Sequence, residues 1–269
     1  MTSIAAALLA LTGAPLFIVI VFLALFHFFL ADIDLTVIFI EMYRIAATPT
    51  LSAIPLFAFT GFLLARSGAA DRLVRFSQAI LGWLPGGLAI MAILVCALFT
   101  ALTGASGMTI VALGGLLYPA MIQNRYSENF SLGLLTTSGS LGLLFPPSLP
   151  LIVYAIVSET PVDRLFFAGI APGMLMVAAL SLYSFYIGRK ESTPRVVIDR
   201  SEIPRVMRES IWELLLPVVI FMGIFTGFIA VSEAAALCAL YVLFVEMVIH
   251  REIRFSHLPG IIQIGRAHV

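Results

Sequence analysis

Charged side chains are scarce in this sequence. Asp, Glu, Lys and Arg make up 11% of its 269 residues, whereas a soluble domain carries about a quarter. Lys and Arg together number 15, as do Asp and Glu. The chain therefore lacks the excess of positive charge that binds nucleic acid, and we expect no such partner. Apolar residues reach 61% and the mean hydropathy is +1.09. This composition predicts an all-α polytopic membrane protein embedded in a lipid bilayer.

Cysteine is also rare. The two cysteines, Cys96 and Cys238, both lie in apolar segments. Unpaired cysteines in such segments behave as small apolar residues, so we expect core positions rather than a disulfide or a metal pair. No Cys/His spacing in the sequence is typical of a zinc site.

The start of the chain is free of charge, because the first charged residue is Asp32. A secretory signal has a basic start and a shorter apolar core. We therefore interpret this run as a transmembrane helix that is retained. Downstream, basic residues occur in four groups that the positive-inside rule places in the cytoplasm. They lie at 66–75, 125, 189–208 and 251–254.

The charges and the apolar segments between them predict a division of the chain into regions. These are N-terminal transmembrane helices over 1–75, a transport-type region over 76–188, a cytoplasmic linker over 189–210, a further pair of helices over 211–263 and a short tail over 264–269.

A glycine-rich break, TGASG at 103–107, interrupts the long apolar segment between Arg75 and Arg125. Two interpretations are open: two full spans joined outside the membrane, or a re-entrant hairpin over about 83–122. We favour the hairpin, because the residues at its tip are small. They carry no bulky polar group that would hold the tip in water, and they let backbones approach closely.

A second break lies in the charge-free segment that follows. It reads SGSLGLLFPPS over 138–148. The consecutive prolines Pro146 and Pro147 remove two amide donors and clash with the preceding turn. We therefore predict a broken helix over about 130–157, made of two half-helices with an unwound stretch between them.

Two such breaks together predict a transport site. Non-helical backbone at membrane depth is tolerated only inside protein or beside a water-filled cavity. In secondary transporters, N-termini of half-helices face an anionic substrate, and freed carbonyls and hydroxyls coordinate sodium. The candidate binding residues are Thr103, Gly104, Ser106, Gly107, Ser138, Gly139, Ser140, Pro146, Pro147 and Ser148. The predicted sodium ligands among them are Thr103, Ser106, Ser138 and Ser140. The simpler alternatives are a close-packing site and a proline kink.

Catalysis is disfavoured, because the two breaks contain no His, Asp, Glu, Lys or Arg. We expect a protein that is not an enzyme and that uses no cofactor, with sodium as its coupling ion. Ser232 and Glu233 are interpreted as the cap of the helix that follows, a serine N-cap with an acid in the first turn, rather than as a proton relay.

Four stretches resemble the large membrane subunit of the tripartite ATP-independent periplasmic (TRAP) transporters, and together they cover nearly the whole chain. They are IPLFAFTGFLLARSG (54–68), LFTALTGASGMTIVALGGLLYPAM (98–121), SGSLGLLFPPSLPLIVYAIVSETPVDRLFFAGIAPG (138–173) and LLLPVVIFMGIFTGFIAVSEAAALCALYVLFVE (214–246). The resemblance implies an elevator-type transporter of two inverted halves, each with a re-entrant hairpin and a broken helix. Region 211–263 would be the start of the second half.

The resemblance also implies an activity. Such a subunit imports a small organic carboxylate, such as a C4-dicarboxylate, sialic acid or a sugar acid, with sodium across the bacterial inner membrane. Its partners would be a soluble periplasmic substrate-binding protein and a small four-helix membrane subunit. Two alternatives stay open: a membrane-embedded scaffold or assembly subunit without a transport site of its own, and a related permease that acts without a binding protein.

Two features depart from the family pattern. Many members read Thr-Pro-Thr-Glu where this chain has Ala-Val-Ser-Glu at 230–233. The chain also ends shortly after the first half, and its last residues, IGRAHV (264–269), do not resemble the family and match a translated sequencing adapter. We therefore expect a C-terminally truncated fragment with a non-native tail, which would not transport by itself.

Overall fold

A computed structural model describes residues 11, 13–104, 106–191, 193 and 203–253. The described residues form helices joined by short turns, in agreement with the predicted all-α class. They fall into two compact units, residues 1–48 and residues 49–269. The predicted tail at 264–269 lies outside the described residues.

Two helices lie within the described residues of the first unit. Helix α1 (Leu16–Leu30) carries no charged residue, and most of its large side chains are exposed. Helix α2 (Thr36–Ala46) begins where the carboxylate of Asp34 accepts a hydrogen bond from the Thr36 N–H at 2.9 Å. Such a bond satisfies one of the amide donors that the first turn of a helix leaves without an intrahelical partner.

The second unit contains nine helices within the described residues. In chain order they are α3 (Ala53–Arg66, after a 3-10 turn at Pro49–Ser52), α4 (Ala69–Leu81), α5 (Gly87–Thr103), α6 (Ser106–Gln123), α7 (Glu128–Leu141), α8 (Leu149–Ser158), α9 (Val162–Lys190), α10 (Ile203–Phe225) and α11 (Val231–Phe244, followed by a π-helical turn at Val245–Ile249).

Helix α5 lies at the centre of this unit and packs against α3, α4, α6, α7 and α9. Its sequence is apolar on every side, as expected for a helix that is surrounded by others. Phe99 and Ile93 are fully buried, and Cys96 is 1% exposed. Cys96 and Cys238 are both free and buried, which confirms their prediction as core residues.

Four helical segments of the described part are long and apolar enough to cross a membrane. They are Pro49–Arg66, Ser106–Gln123, Val162–Lys190 and Val231–Ile249, and the bent pair of α7 and α8 would make a fifth span. Their outer surfaces carry large apolar side chains such as Val111 and Leu175, which are 79% and 71% exposed. A surface of this kind is suited to lipid rather than to water.

Two parts of the structure differ from the regions drawn from the sequence. The predicted N-terminal region 1–75 is divided after Thr48, because α3 packs on α11 and α4 packs on α10. The predicted linker 189–210 is helical at both ends, where α9 continues to Lys190 and α10 begins at Ile203. The interpretation of Arg72 as part of a basic loop was wrong, since this residue lies in α4 and is 4% exposed.

Candidate functional site

The first break is a tight turn between two helices that pack against each other. Helix α5 ends at Thr103, and α6 begins at Ser106. Between them, Gly104 has a φ of +65°, a left-handed conformation that glycine adopts without steric cost. Its N–H donates to the Thr100 carbonyl at 2.7 Å, which is the usual way in which a glycine ends a helix. The two arms predicted over about 83–122 are therefore helices joined by a turn, and the re-entrant form, as opposed to two full spans, stays a prediction.

The second break has the predicted half-helix form. Helix α7 ends at Leu141, tightens into a 3-10 turn over Gly142–Leu144, and gives way to a non-helical, bent stretch that contains the two prolines. Helix α8 then begins at Leu149, and the two segments meet at an angle of 43°.

The two breaks meet in space. A side chain at Gly104 would overlap Leu149, the first residue of α8, so the turn of the hairpin lies against the start of that half-helix. A Cβ on Gly139 would overlap Ile110 of α6, and it would lie 3.6 Å from the Ser106 carbonyl. On the other arm, the Thr100 hydroxyl donates to the Gly139 carbonyl at 2.9 Å.

Four helix ends, some N-terminal and some C-terminal, lie at the contact between the two breaks. Helices α6 and α8 both begin at this contact, and α5 ends there. The 3-10 turn that follows α7 lies against the last two turns of α5, because a side chain at Gly142 would overlap the backbone of Ala97. Helix N-termini carry partial positive charge and C-termini partial negative charge. The contact therefore offers one environment for an anion and another for a cation.

Two hydroxyls of this region are buried and have no partner among the described residues. They belong to Ser138 and Ser148, both 0% exposed. Ser148 is the N-cap of α8, where a serine oxygen ordinarily accepts from the second or third backbone N–H. Here the second residue is Pro150, which has no N–H to donate, and the cap makes no side-chain hydrogen bond.

The structure does not bring all the predicted sodium ligands to one point. Ser138 is buried, but Ser140 is exposed, and its hydroxyl lies 3.5 Å from the Thr136 carbonyl. Two residues along a helix are separated by about 200° around its axis, so these two serines face different sides of α7. Thr103 is buried with its hydroxyl 3.2 Å from that of Thr109, and Ser106 is half-buried.

The remaining candidates are placed as follows. Pro146 and Pro147 are buried in the bent stretch before α8. Gly107 is exposed, and a side chain there would meet open space, so this glycine does not contact the second break. Ala105, which lies in the first break, is outside the described residues.

Of the two residues predicted to cap α11, Ser232 and Glu233, only Glu233 takes part in the cap. The helix begins at Val231 with Ala230 as N-cap, so Ser232 lies inside the first turn and is not the cap. Glu233 reaches back, and its carboxylate accepts from the Ala230 N–H at 2.8 Å. This is one half of a capping box, since an alanine side chain cannot supply the other half.

A buried cluster of charge in the same unit was not predicted from the sequence. The Arg72 guanidinium contacts Glu213 at 2.6 Å, Glu246 at 2.8 Å and Glu252 at 2.6 Å. His250 lies nearby, with its Nε2 3.5 Å from Glu213 Oε1. Two of the acidic residues, Glu213 and Glu246, lie in largely apolar helical stretches and were the available signal, because such residues are costly to bury without a partner.

The cluster sets the pKa of two groups at its edge. Burial would raise the pKa of Glu252, but hydrogen bonds from the Gly68 N–H and from Arg72 outweigh burial and hold the pKa below its ordinary value. The pKa of His250 is lowered by burial and then by the positive charge of Arg72.

Comparison with known proteins identifies the family. The family described as the tripartite ATP-independent periplasmic transporter, DctM component, matches residues 3–265. The chain belongs to this family. The resemblance to TRAP large subunits is thereby confirmed, and the chain is part of a multi-pass membrane protein.

Curated TRAP relatives agree with this assignment. The C4-dicarboxylate TRAP transporter large permease protein DctM of Pseudomonas aeruginosa is 37% identical over 224 residues, which are 83% of this chain and 52% of the relative. The protein of the same name from Rhodobacter capsulatus is 31% identical over 94% of this chain and 61% of its own length. The sialic acid TRAP transporter large permease protein SiaM of Vibrio cholerae is 35% identical over 80% of this chain and 50% of its own length. The chain spans about half the length of the relatives it matches.

Proposed function

We propose that the chain provides one half of a sodium and carboxylate site in the large permease subunit of a TRAP transporter of the bacterial inner membrane. The observation that carries the proposal is the contact between the two breaks, where Gly104 of the hairpin turn lies against Leu149 of α8. In this arrangement the N-termini of α6 and α8 favour the carboxylate of a substrate.

Sodium would bind on the oxygen-rich side of the same contact. The C-terminal carbonyls of α5 and the carbonyls of the 3-10 turn carry partial negative charge. The Ser138 and Ser148 hydroxyls are buried without a partner among the described residues, and a buried hydroxyl of this kind is stabilised by a ligand. Thr103 and Ser106 flank Gly104 on either side of the hairpin turn, whereas the exposed Ser140 supports the site less well.

The substrate class is proposed from the named relatives. Those relatives are called transporters of C4-dicarboxylate, sialic acid and 2,3-diketo-L-gulonate, and these compounds share a carboxylate group. Two further relatives are named for ectoine. A small organic carboxylate is therefore the class that we propose.

The proposed partners are a soluble periplasmic substrate-binding protein and a small four-helix membrane subunit. The family description supports them, since it names a tripartite and periplasmic system. The binding protein would deliver the substrate, and the two membrane subunits would carry it inward with sodium.

The test is uptake by the permease assembled with its small subunit and supplied with its binding protein, in liposomes with and without a sodium gradient. We expect Ser148→Ala to raise the sodium concentration for half-maximal uptake by about tenfold or more, because a hydroxyl that contacts a charged ligand contributes about 1.5–3 kcal/mol. Ser138→Ala should have a similar effect.

Ser131→Ala is the matched control. Ser131 is equally buried in α7, but its hydroxyl already donates to the Ser127 carbonyl at 2.9 Å. Its replacement should leave the sodium dependence unchanged. Sodium-independent uptake by the parent protein would reject the sodium site. The absence of any substrate uptake would favour the scaffold alternative. Uptake without the binding protein would favour a permease that acts without one.

A further inference from the structure

A cleft of about 670 Å³ lies between the first turns of α10 and the residues that follow α11. Arg205 and Arg208 line one side of it, and Ile249 and His250 line the other. Helix α10 enters its apolar part just beyond, since its last charged residue is Glu213. The cleft therefore lies where α10 passes from a polar to an apolar environment.

The cleft carries an excess of positive charge. Arg205 and Arg208 face Glu209, the one acidic residue of its lining. Glu209 is engaged by Arg205 at 3.1 Å and lies 3.9 Å from Arg75. Arg208 is exposed, and it forms no hydrogen bond or ion pair with any other described residue. The first turn of α10 adds the partial positive charge of a helix N-terminus.

The rest of the lining is apolar. Ile211 is 47% exposed, and Trp212 is half-buried with its carbonyl fixed by the Tyr241 hydroxyl at 3.0 Å. Tryptophan is enriched at the level of lipid headgroups, where one side of the residue is apolar and the other is wet. An apolar wall beside two arginines suits a molecule with an anionic head and an acyl chain better than it suits a soluble anion.

We propose that this cleft binds the headgroup of an anionic phospholipid, with Arg205 and Arg208 on the phosphate and Trp212 and Ile249 against the first part of the acyl chain. Basic pockets between membrane helices are recognised sites for such headgroups. The lowered pKa of His250 leaves the two arginines as the source of the charge. The cleft is lined by other residues than the contact of the two breaks, so lipid binding in it can be measured independently of transport.

The experiment uses the fluorescence of Trp212. The sequence has two tryptophans, so Trp83→Phe leaves Trp212 as the only emitter. The full chain is reconstituted in phosphatidylcholine bilayers with rising fractions of brominated phosphatidylglycerol, and separately of brominated phosphatidylcholine. We expect the anionic lipid to quench Trp212 with about tenfold higher relative affinity, on the basis of the attraction of each basic residue for anionic lipid.

The double variant Arg205→Gln/Arg208→Gln should remove this preference, so that the two brominated lipids quench equally. Arg164→Gln, at an exposed arginine near the start of α9, is the matched control and should keep it. All substituted arginines are on the surface, and each variant is checked for a monodisperse elution profile. Equal quenching in the parent, or a preference that survives the double variant, would overturn the proposal.

A soluble anion is distinguished from a lipid in the same assay. Glycerol phosphate at millimolar concentration should leave the quenching by brominated phosphatidylglycerol unchanged, because it lacks the acyl chain that contacts the apolar wall. Full competition by glycerol phosphate would assign the cleft to a soluble phosphate compound and would reject the lipid.

Discussion

The guanidinium of Arg72 shows how a single side chain can determine a large part of the packing around it. It is 4% exposed and contacts the carboxylates of Glu213, Glu246 and Glu252. Its backbone carbonyl also accepts from the Ser210 hydroxyl at 3.0 Å. Each buried carboxylate depends on this one positive charge to offset the cost of leaving water.

We predict that Arg72→Met destabilises the protein by about 3–5 kcal/mol, because it leaves buried carboxylates without their counter-charge. The measurement is denaturant unfolding in detergent, followed by circular dichroism. Arg75→Met is the control, since Arg75 is 57% exposed and lies 3.9 Å from its partner. It should change the stability by less than about 1 kcal/mol. Equal effects of the two variants would contradict the role assigned to Arg72.

At the scale of elements, the broken helix is held by glycines that allow backbones to touch. Gly142 lies against the backbone of α5. On the other side, Gly169 of α9 lies against the Leu144 carbonyl, and Gly173 lies against the ring of Phe145. Small residues at such contacts permit the close packing on which membrane helices depend. The position of the break is therefore determined by its packing against α5 and α9. The prolines alone would determine only that the helix is interrupted.

We predict that Gly142→Ala destabilises the protein by about 1–3 kcal/mol, because its Cβ would overlap the Ala97 carbonyl and lie 2.6 Å from the Ala101 nitrogen. Gly133→Ala, in the middle of α7, is the control. A side chain there meets open space, so it should be neutral or stabilising by up to about 1 kcal/mol. Thermal unfolding in detergent compares the two. A neutral Gly142→Ala would show that α5 and the 3-10 turn can separate at little cost.

At the scale of the whole second unit, the charge cluster joins segments that are far apart in sequence. Arg72 and Glu252 are 180 residues apart, and Gly68 also donates its N–H to Glu252. Through these contacts, α4 is tied to α10 and to the segment that follows α11. The contact of the two breaks lies elsewhere in the same unit, so the cluster supports the packing of the helices and takes no part in the proposed site.

We predict that this tie weakens in acid. The pKa of Glu252 is below its ordinary value in the folded protein, so its contribution to stability is present above the unfolded pKa and is lost as the pH falls through the folded value. Glu252→Gln should therefore unfold at a lower temperature than the parent near neutral pH. The difference should shrink steadily below about pH 4. A difference that stays constant with pH would contradict this assignment.

The sequence alone determined the membrane class, the positions of the two breaks, the half-helix form of the second break and the family. These features depend on composition and on neighbours within a few residues, such as Pro146 beside Pro147 or Gly104 at the end of an apolar run. Local signals of this kind are readable because they act through the backbone of the same short segment.

Only the tertiary structure decided which residues come together. It placed Gly104 against Leu149, separated Ser138 from Ser140, and buried Arg72 among carboxylates that lie 141 to 180 residues further along the chain. It also moved the cap of α11 from Ser232 to Ala230, with Glu233 reaching back. The physical reason is that burial and charge pairing depend on neighbours that packing brings together. The spatial distance between residues far apart in the sequence cannot be obtained from their order in the chain.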